Sequence, residues 1–358
     1  MSEDNEGFLQ PVINNAKCVK CGLCEKVCPV LFPDMPREPS AIYVVKAKDN
    51  ELRLKSSSGG VFSLLAREVF KQGGIVYGAG WERPSMRAVH KSAQNEGELD
   101  DLRGSKYVQS EMGGTYRQVE SQLKDGRVVL FCGCPCQVAG LKHFLRYNYD
   151  NLICVDLICH SIGSPGVFKR FLSHLSGEKE GISSIVFRDK AIAWKHFHFR
   201  VRWYGGEEYL KPFNETFYGL AWWSGLAARR SCFGCKFKSF RSLSDITIGD
   251  AWGVEEFAPE MDDEKGCSIV FLFKDNIFSK TISKMHVRQI DYLSAVNKNP
   301  CVYVPSHKEG DRLGILRERF YREINRNKSG LTKKNLLWFN NPGILKRAWR
   351  KGLRVLGF

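Results

Sequence analysis

Four cysteines near the start of the chain, Cys18, Cys21, Cys24 and Cys28, are followed directly by Pro29. The spacing, C-x2-C-x2-C-x3-C-P, is the bacterial ferredoxin run that holds a [4Fe–4S] cluster through thiolates. It constrains folding more than anything else in the sequence. One tight loop has to present three sulfurs to three corners of a cubane, and the x3-C-P step turns the chain away with a fourth. It also commits the chemistry to single electrons. In two-cluster ferredoxins the fourth cysteine of such a run ligates the other cluster. Cys18, Cys21 and Cys24 therefore call for a remote cysteine, and Cys28 for a second run, which the 358 residues do not contain. The stretch from Glu6 to Asn14 resembles the short strand between two cluster motifs. The expectation is half of a two-cluster module, with Met1 an internal methionine and one motif upstream; a single, unusual site or a degenerate one is the alternative.

Thirteen cysteines, an odd number arranged partly as cluster ligands, point to a reducing cytoplasm rather than a disulfide scaffold. The acidic opening, Met1 to Glu6, offers neither a basic n-region nor an apolar h-region, so no signal peptide is expected. The longest weakly polar stretch, Phe217 to Ala228, is too short to span a bilayer and is read as a buried helix. The net charge of +15 suggests nucleic acid until it is located: residues 301–358 carry 14 Lys and Arg against 4 Asp and Glu. The remainder is nearly balanced, so no nucleic-acid partner is expected.

The chain divides into three expected parts: an iron–sulfur module over 1–40, a large domain over 41–300 and a basic, partly helical tail over 301–358. Phe32 to Pro39 is a proline-rich exit from the module. From about residue 55 helices and strands alternate. Val61 to Phe70 has helical apolar spacing, Ile75 to Ala79 reads as a strand, and a polar helix is expected around 115–124. Val128 to Phe131 is a strand running into Cys132, Cys134 and Cys136, and Leu152 to Ile158 is another running into Cys159. Two strands ending at cysteines predict an α/β (α+β) domain with its site at the strand C-termini. After about residue 184 the strands (Ser184 to Arg188, His198 to Trp203, Ile246 to Ile248) read as antiparallel and irregular.

Cys136, Cys159 and the pair Cys232-x-x-Cys235 form a second constellation. Alone, such a set fits iron–sulfur, zinc or buried structural thiols; the ferredoxin run tilts it toward iron–sulfur. Ser57, Ser58, Gly59 and Gly60 sit at a predicted helix start, where free N–H groups and the helix dipole favour an anion such as a pyrophosphate. Gly104, Ser105, Lys106 and Tyr107 offer a cation for phosphate and an aromatic ring for stacking. There is no G-x-G-x-x-G, so a dinucleotide would not be held in the Rossmann manner. Asp189 and Lys190, with Trp194 and His196 nearby, read as a solvated strand end, with the lining of a substrate pocket as the alternative.

Several separate stretches occur in an order that resembles the beta subunits of coenzyme F420 hydrogenases and dehydrogenases. They are Ser56 to Phe62, Gly104 to Ser110, Pro135 to Lys142, Cys159-His160, Phe187 to Lys190, Cys232-x-x-Cys235 and Asp245 to Gly253. The resemblance implies an FAD-binding α/β domain with its own [4Fe–4S] cluster, ligated by Cys136, Cys159, Cys232 and Cys235. It departs from that pattern at Cys134, where a small or hydroxyl residue is common, with Cys132 two residues before, and at Ser161 after Cys159-His160.

The function expected is a cytoplasmic oxidoreductase holding one or two [4Fe–4S] clusters and FAD. It would couple hydride chemistry on F420 or another small-molecule donor or acceptor to one-electron exchange with a ferredoxin-type partner protein. FAD is the group that joins electron pairs to single electrons. A flavin-free electron-relay subunit and a zinc-stabilised binding protein are the rival readings. In the tail, Lys346, Arg347, Arg350, Lys351 and Arg354 alternate with Leu345, Trp349, Leu353 and Leu356. They are read either as a basic amphipathic helix contacting the inner membrane face or as a helix packed on the core.

Overall fold

A computed structural model of the chain describes residues 1–275, 277–307 and 310–326. The basic amphipathic segment expected around 341–358 lies outside the described residues. The chain opens with two short antiparallel strands, β1 (Ser2–Glu3) and β2 (Leu9–Gln10), followed by α1 (Leu23–Lys26) inside the cysteine run. Then come β3 (Ala41–Ala47), α2 (Asn50–Lys55), α3 (Val61–Lys71), β4 (Ile75–Glu82), β5 (Arg87–Ala93), α4 (Glu96–Leu102) and α5 (Thr115–Lys124). The middle of the chain gives β6 (Val129–Gly133), α6 (Pro135–Leu145), β7 (Leu152–Leu157), α7 (Pro165–Ser176), β8 (Ile182–Asp189), β9 (His198–Trp203), β10 (Glu208–Pro212) and α8 (Phe217–Trp223). It closes with β11 (Ile246–Asp250), α9 (Val254–Phe257), β12 (Ser268–Leu272), β13 (Met285–Gln289), α10 (Tyr292–Asn297) and α11 (Asp311–Asn325).

The central sheet is mixed, in the order β13-β3-β12-β11-β7-β6-β4-β5. Its middle, β4, β6, β7 and β11, is parallel, and both flanks are antiparallel. Alternation along the strands buries both faces. Val129, Phe131, Leu152 and Cys154 face the cluster made with α5 and α6. Leu130, Ile153, Val155 and Ile246 face the one made with α3 and α4. The strand expected at Ile246 to Ile248 therefore belongs to the main sheet, parallel to β7, not to an irregular antiparallel region. Its run of buried residues suits a strand covered on both sides.

The antiparallel expectation does describe β8, β9 and β10, which form a separate three-stranded sheet. That sheet encloses the largest core cluster with α7, α8 and α11, through Phe168, Phe187, Phe199 and Phe213 among others. The helix expected over Phe217 to Ala228 stops at Trp223. Gly225, at φ +88°, turns the chain, and Ala228 then bridges antiparallel to Gly163. The first part of the segment expected as a tail packs inward: Phe320, Tyr321 and Ile324 of α11 are buried.

The proline-rich exit is held at several points. Asp34 pairs with His143 Nε2 at 2.9 Å, and Arg37 donates to the Ser244 carbonyl. Among the described residues no helix is long and apolar enough to cross a membrane.

Candidate functional site

The C-terminal ends of β6, β7 and β11 open onto a cavity of about 730 Å³, with Gly133, Leu157 and Asp250 in its wall. Residues 56–58, 60–63 and 102–108 form another wall, with Gly59 outside the lining, and the two segments touch. Ser57 Oγ accepts from the Ser105 backbone N–H at 2.8 Å and lies 3.0 Å from Ser105 Oγ. The turn before α3 is shaped by glycine. Gly60 sits at φ +89°, and a Cβ there would meet Leu52 at 2.4 Å; a Cβ on Gly59 would meet the Val45 carbonyl at 2.4 Å. The loop thus lies flat on β3 and β12 and points the first turn of α3, with its spare N–H groups, into the cavity.

Lys106 lines the cavity and donates to the carbonyls of Leu102, Arg103 and Gly104. Burial lowers its ammonium to about 7. Tyr107 does not offer a free face for stacking: its ring lies on Trp222 at 4.6 Å and beside Phe213. It is part of an aromatic wall with Phe197, Trp222, Trp223 and Trp252.

Sequence reasoning missed Arg188, whose signal was its place beside Asp189 in the Phe187–Lys190 motif. Its Nη1 donates to Asp250 at 2.7 Å and to Tyr107 Oη at 3.3 Å, while Nε and Nη2 are buried without partners among the described residues. Trp222 Nε1, in the same wall, is likewise buried and unpaired. Lys190 is not a solvated strand end. It reaches inward to the carbonyls of Arg53, Ser58 and Lys265 and so holds the Ser58 turn in place. Burial lowers its ammonium to about 7. The stretch 298–306 also lines the cavity, with Cys301 Sγ 3.6 Å from His160 Nδ1. Its sequence carries no motif that would have marked it.

The second cysteine set gathers at one end of this cavity. Cys134 and Cys136 begin α6, the latter in its first turn, where the helix dipole favours a thiolate. Cys159 follows β7. Arg229 N–H donates to the Ile162 carbonyl at 2.8 Å and Ser164 N–H to that of Ala227, which lays the approach to Cys232 beside the exit from Cys159. Lys238 Nζ, just past Cys235, clamps the carbonyls of Cys159 and Cys301 at 2.7 and 2.6 Å.

Burial pushes the Cys136 thiol well up, and Cys159, Cys232 and Cys235 raise it further. Burial likewise pushes Cys232 up to about 12. Buried thiols of this kind lose their protons to a metal, which deprotonates its ligands. Among the described residues no group of three or more His, Cys, Asp or Glu side chains is placed to hold a metal ion. Cys132 stands apart: burial and then Asp156 push it up to about 12, and no cluster thiol contributes.

At the N-terminus Cys18, Cys21 and Cys24 are exposed and Cys28 is half-buried. The strand leading to them is fixed beside the second set. Leu9 exchanges hydrogen bonds with the Gln109 side chain, Gln10 accepts from Arg229 at 2.8 Å, and Phe8 is fully buried.

Residues 126–294 match the family model for the C terminus of the coenzyme F420 hydrogenase/dehydrogenase beta subunit, and residues 11–33 match the 4Fe-4S binding domain. The chain is a coenzyme F420 hydrogenase/dehydrogenase beta-subunit-like oxidoreductase with an iron–sulfur domain. One chain of the xenon-derivatised F420-reducing [NiFe] hydrogenase complex from Methanosarcina barkeri aligns at 17% identity. The alignment covers 80% of this chain and 94% of that one, with a TM-score of 0.49. No curated protein matches the chain. The residues of this F420 hydrogenase/dehydrogenase beta-subunit-like chain fit a flavin: the cavity has the size of a cofactor site, and unpaired donors on Arg188 and Trp222 await acceptors.

Proposed function

We propose that this chain is a flavin- and iron–sulfur-dependent oxidoreductase that couples hydride chemistry on F420 or a similar small molecule to one-electron exchange with a ferredoxin-type partner. One observation carries the reading: a single cavity has the Ser57–Gly60 and Gly104–Tyr107 segments along one wall and Cys159 in another. A two-electron cofactor and a one-electron cluster would meet there. FAD, when bound, supplies the step between paired and single electrons.

The chain's own residues do the holding. The first turn of α3, Ser57, Ser105 and Lys106 would face the pyrophosphate. With Lys106 brought to about 7 by burial, an anion beside it restores the charged form, so binding and protonation favour each other. Arg188, fixed by Asp250, presents a cation to a ring edge, and the aromatic wall keeps water away. Cys136, Cys159, Cys232 and Cys235 would hold one [4Fe–4S] cluster. Cys18, Cys21, Cys24 and Cys28 would serve the ferredoxin-type site, which is docked close by through residues 6–10.

Anaerobic purification followed by iron, sulfide and released-flavin analysis per chain tests this. Clusters together with FAD are expected. Clusters without flavin would leave an electron-relay subunit, and zinc without sulfide would end both readings.

A further inference from the structure

The cysteine run stands clear of the core between two anchored ends. On one side Phe8 is buried and Gln10 accepts from Arg229. On the other, Arg241 donates to the Asp34 carbonyl at 3.2 Å and the Arg37 N–H to that of Ser239 at 3.4 Å. Among the described residues, 11–33 hydrogen-bond only to one another, and none of them joins a core cluster. The segment is nevertheless rich in apolar surface. Twenty large apolar side chains are exposed among the described residues, and eight of them fall between 12 and 35, Val12, Ile13, Val19, Leu31, Phe32 and Met35 included. That concentration marks an interaction site rather than ordinary scatter. Its charge is one-sided too. Lys17, Lys20 and Lys26 are exposed and enter no ion pair among the described residues, and Glu25 is the only acid from 11 to 33.

Resting on the reading above, in which single electrons pass through the ferredoxin-type site, we propose that the 12–35 face docks an acidic protein that carries a one-electron centre. Cys18, Cys21 and Cys24 are exposed on the same segment, so a centre pressed against it comes close to the iron. Electron tunnelling, which falls steeply with distance, needs that approach. One electron leaves the cluster and reduces the partner's centre; no bond or proton changes hands. The lysines raise the rate of encounter with an acidic surface. Apolar side chains beside a charged rim suit the small, short-lived contact that such carriers make. A second copy of this chain is the poorer occupant, because a two-fold contact would set lysines against lysines.

The test uses the full chain, purified anaerobically, reduced with dithionite and freed of the excess. Stopped-flow mixing with oxidised plastocyanin, an acidic copper protein, gives the rate of electron transfer; iron and sulfide per chain and sedimentation velocity accompany it. Lys17→Glu/Lys20→Glu/Lys26→Glu should keep its iron and reduce plastocyanin about ten-fold more slowly at low salt, with the gap closing as salt screens the charges. Lys169→Glu/Lys211→Glu/Lys280→Glu, with the same change in net charge on exposed lysines elsewhere, should slow it less than about two-fold. Phe32→Ser should slow it at every salt concentration. Should the glutamate triple lose iron, the milder Lys17→Gln/Lys20→Gln/Lys26→Gln takes its place, with a smaller loss of rate expected. Equal slowing by the two lysine triples would reduce the effect to overall charge and overturn the inference, as would wild-type rates in the first triple and in Phe32→Ser. A wild-type dimer that Phe32→Ser dissociates would also overturn it, giving the face to a second copy. Wild-type protein free of iron and sulfide would instead bring down the underlying reading.

Discussion

Arg188 has only Nη1 committed, to Asp250 and Tyr107, and is sandwiched between Phe197 and Trp252 with ring centroids 4.2 and 5.3 Å from its guanidinium carbon. Arg188→Met keeps much of the packing and removes the cation. The expected outcome is a clear drop in flavin per chain, with Arg188→Lys intermediate, read by fluorescence of flavin released on denaturation. His90 gives a second residue-scale expectation. Its Nε2–H donates to the Cys132 carbonyl, so Nδ1 accepts from Ser110, and burial lowers its pKa to about 4. Below its ordinary pKa of 6.5 the unfolded chain binds a proton that the folded site refuses. The stabilisation from neutral His90 is therefore complete above 6.5 and is lost as pH falls toward 4, by about 3 kcal/mol at the limit. His90→Gln should flatten this part of the profile in denaturant titrations at pH 5 and 7; equal slopes in variant and wild type would contradict it. Arg188 lies inside the Phe187–Lys190 stretch, which gives no hint of its role, and His90 lies in no motif. What singles them out is burial and partner geometry.

Elements whose signal is local were legible in the sequence. The expected helix at 115–124 is α5, the expected strand at Ile75 is β4, and the helix start after Gly60 is α3. Elements whose state depends on distant partners were not. β11 takes its place from β7 and β12, and Arg317 could not be told from an exposed tail charge. Arg317 is buried. It donates to the carbonyls of Gly225, Leu226 and Ala228 at 2.5 to 2.8 Å and pairs with Glu6. One side chain thus joins α11, the turn after α8 and the N-terminal strand pair. Arg317→Ala would leave three carbonyls and a carboxylate short of a partner. A loss of about 3–5 kcal/mol is expected in denaturant unfolding. Limited proteolysis should also cut residues 1–35 faster, and an unchanged cleavage pattern would argue against Arg317 as the tie.

For the whole molecule, the thiols near the cavity come from the α6 start, the β7 exit and the loop at 232–235, three regions brought together only by the sheet. A cluster bound there would act as a cross-link between them. Removing iron with a chelator under reducing, anaerobic conditions should lower the melting temperature and open the 228–241 loop to protease. An apo form as stable as the iron-loaded one would count against that role. Cysteine spacing along 18–28, the glycine and serine turn at 57–60 and the alternation of helix and strand were written in the chain itself. Ligand spacing, turn chemistry and periodicity act over a few residues, so composition in a short window is enough to express them. The meeting of Ser57 with Ser105, the inward turn of Lys190 and Arg188 and the burial of Arg317 were decided by the tertiary structure. Each depends on the burial or approach of groups 48 to about 310 positions apart, or on neighbours that only the packed sheet supplies, and no local pattern encodes that.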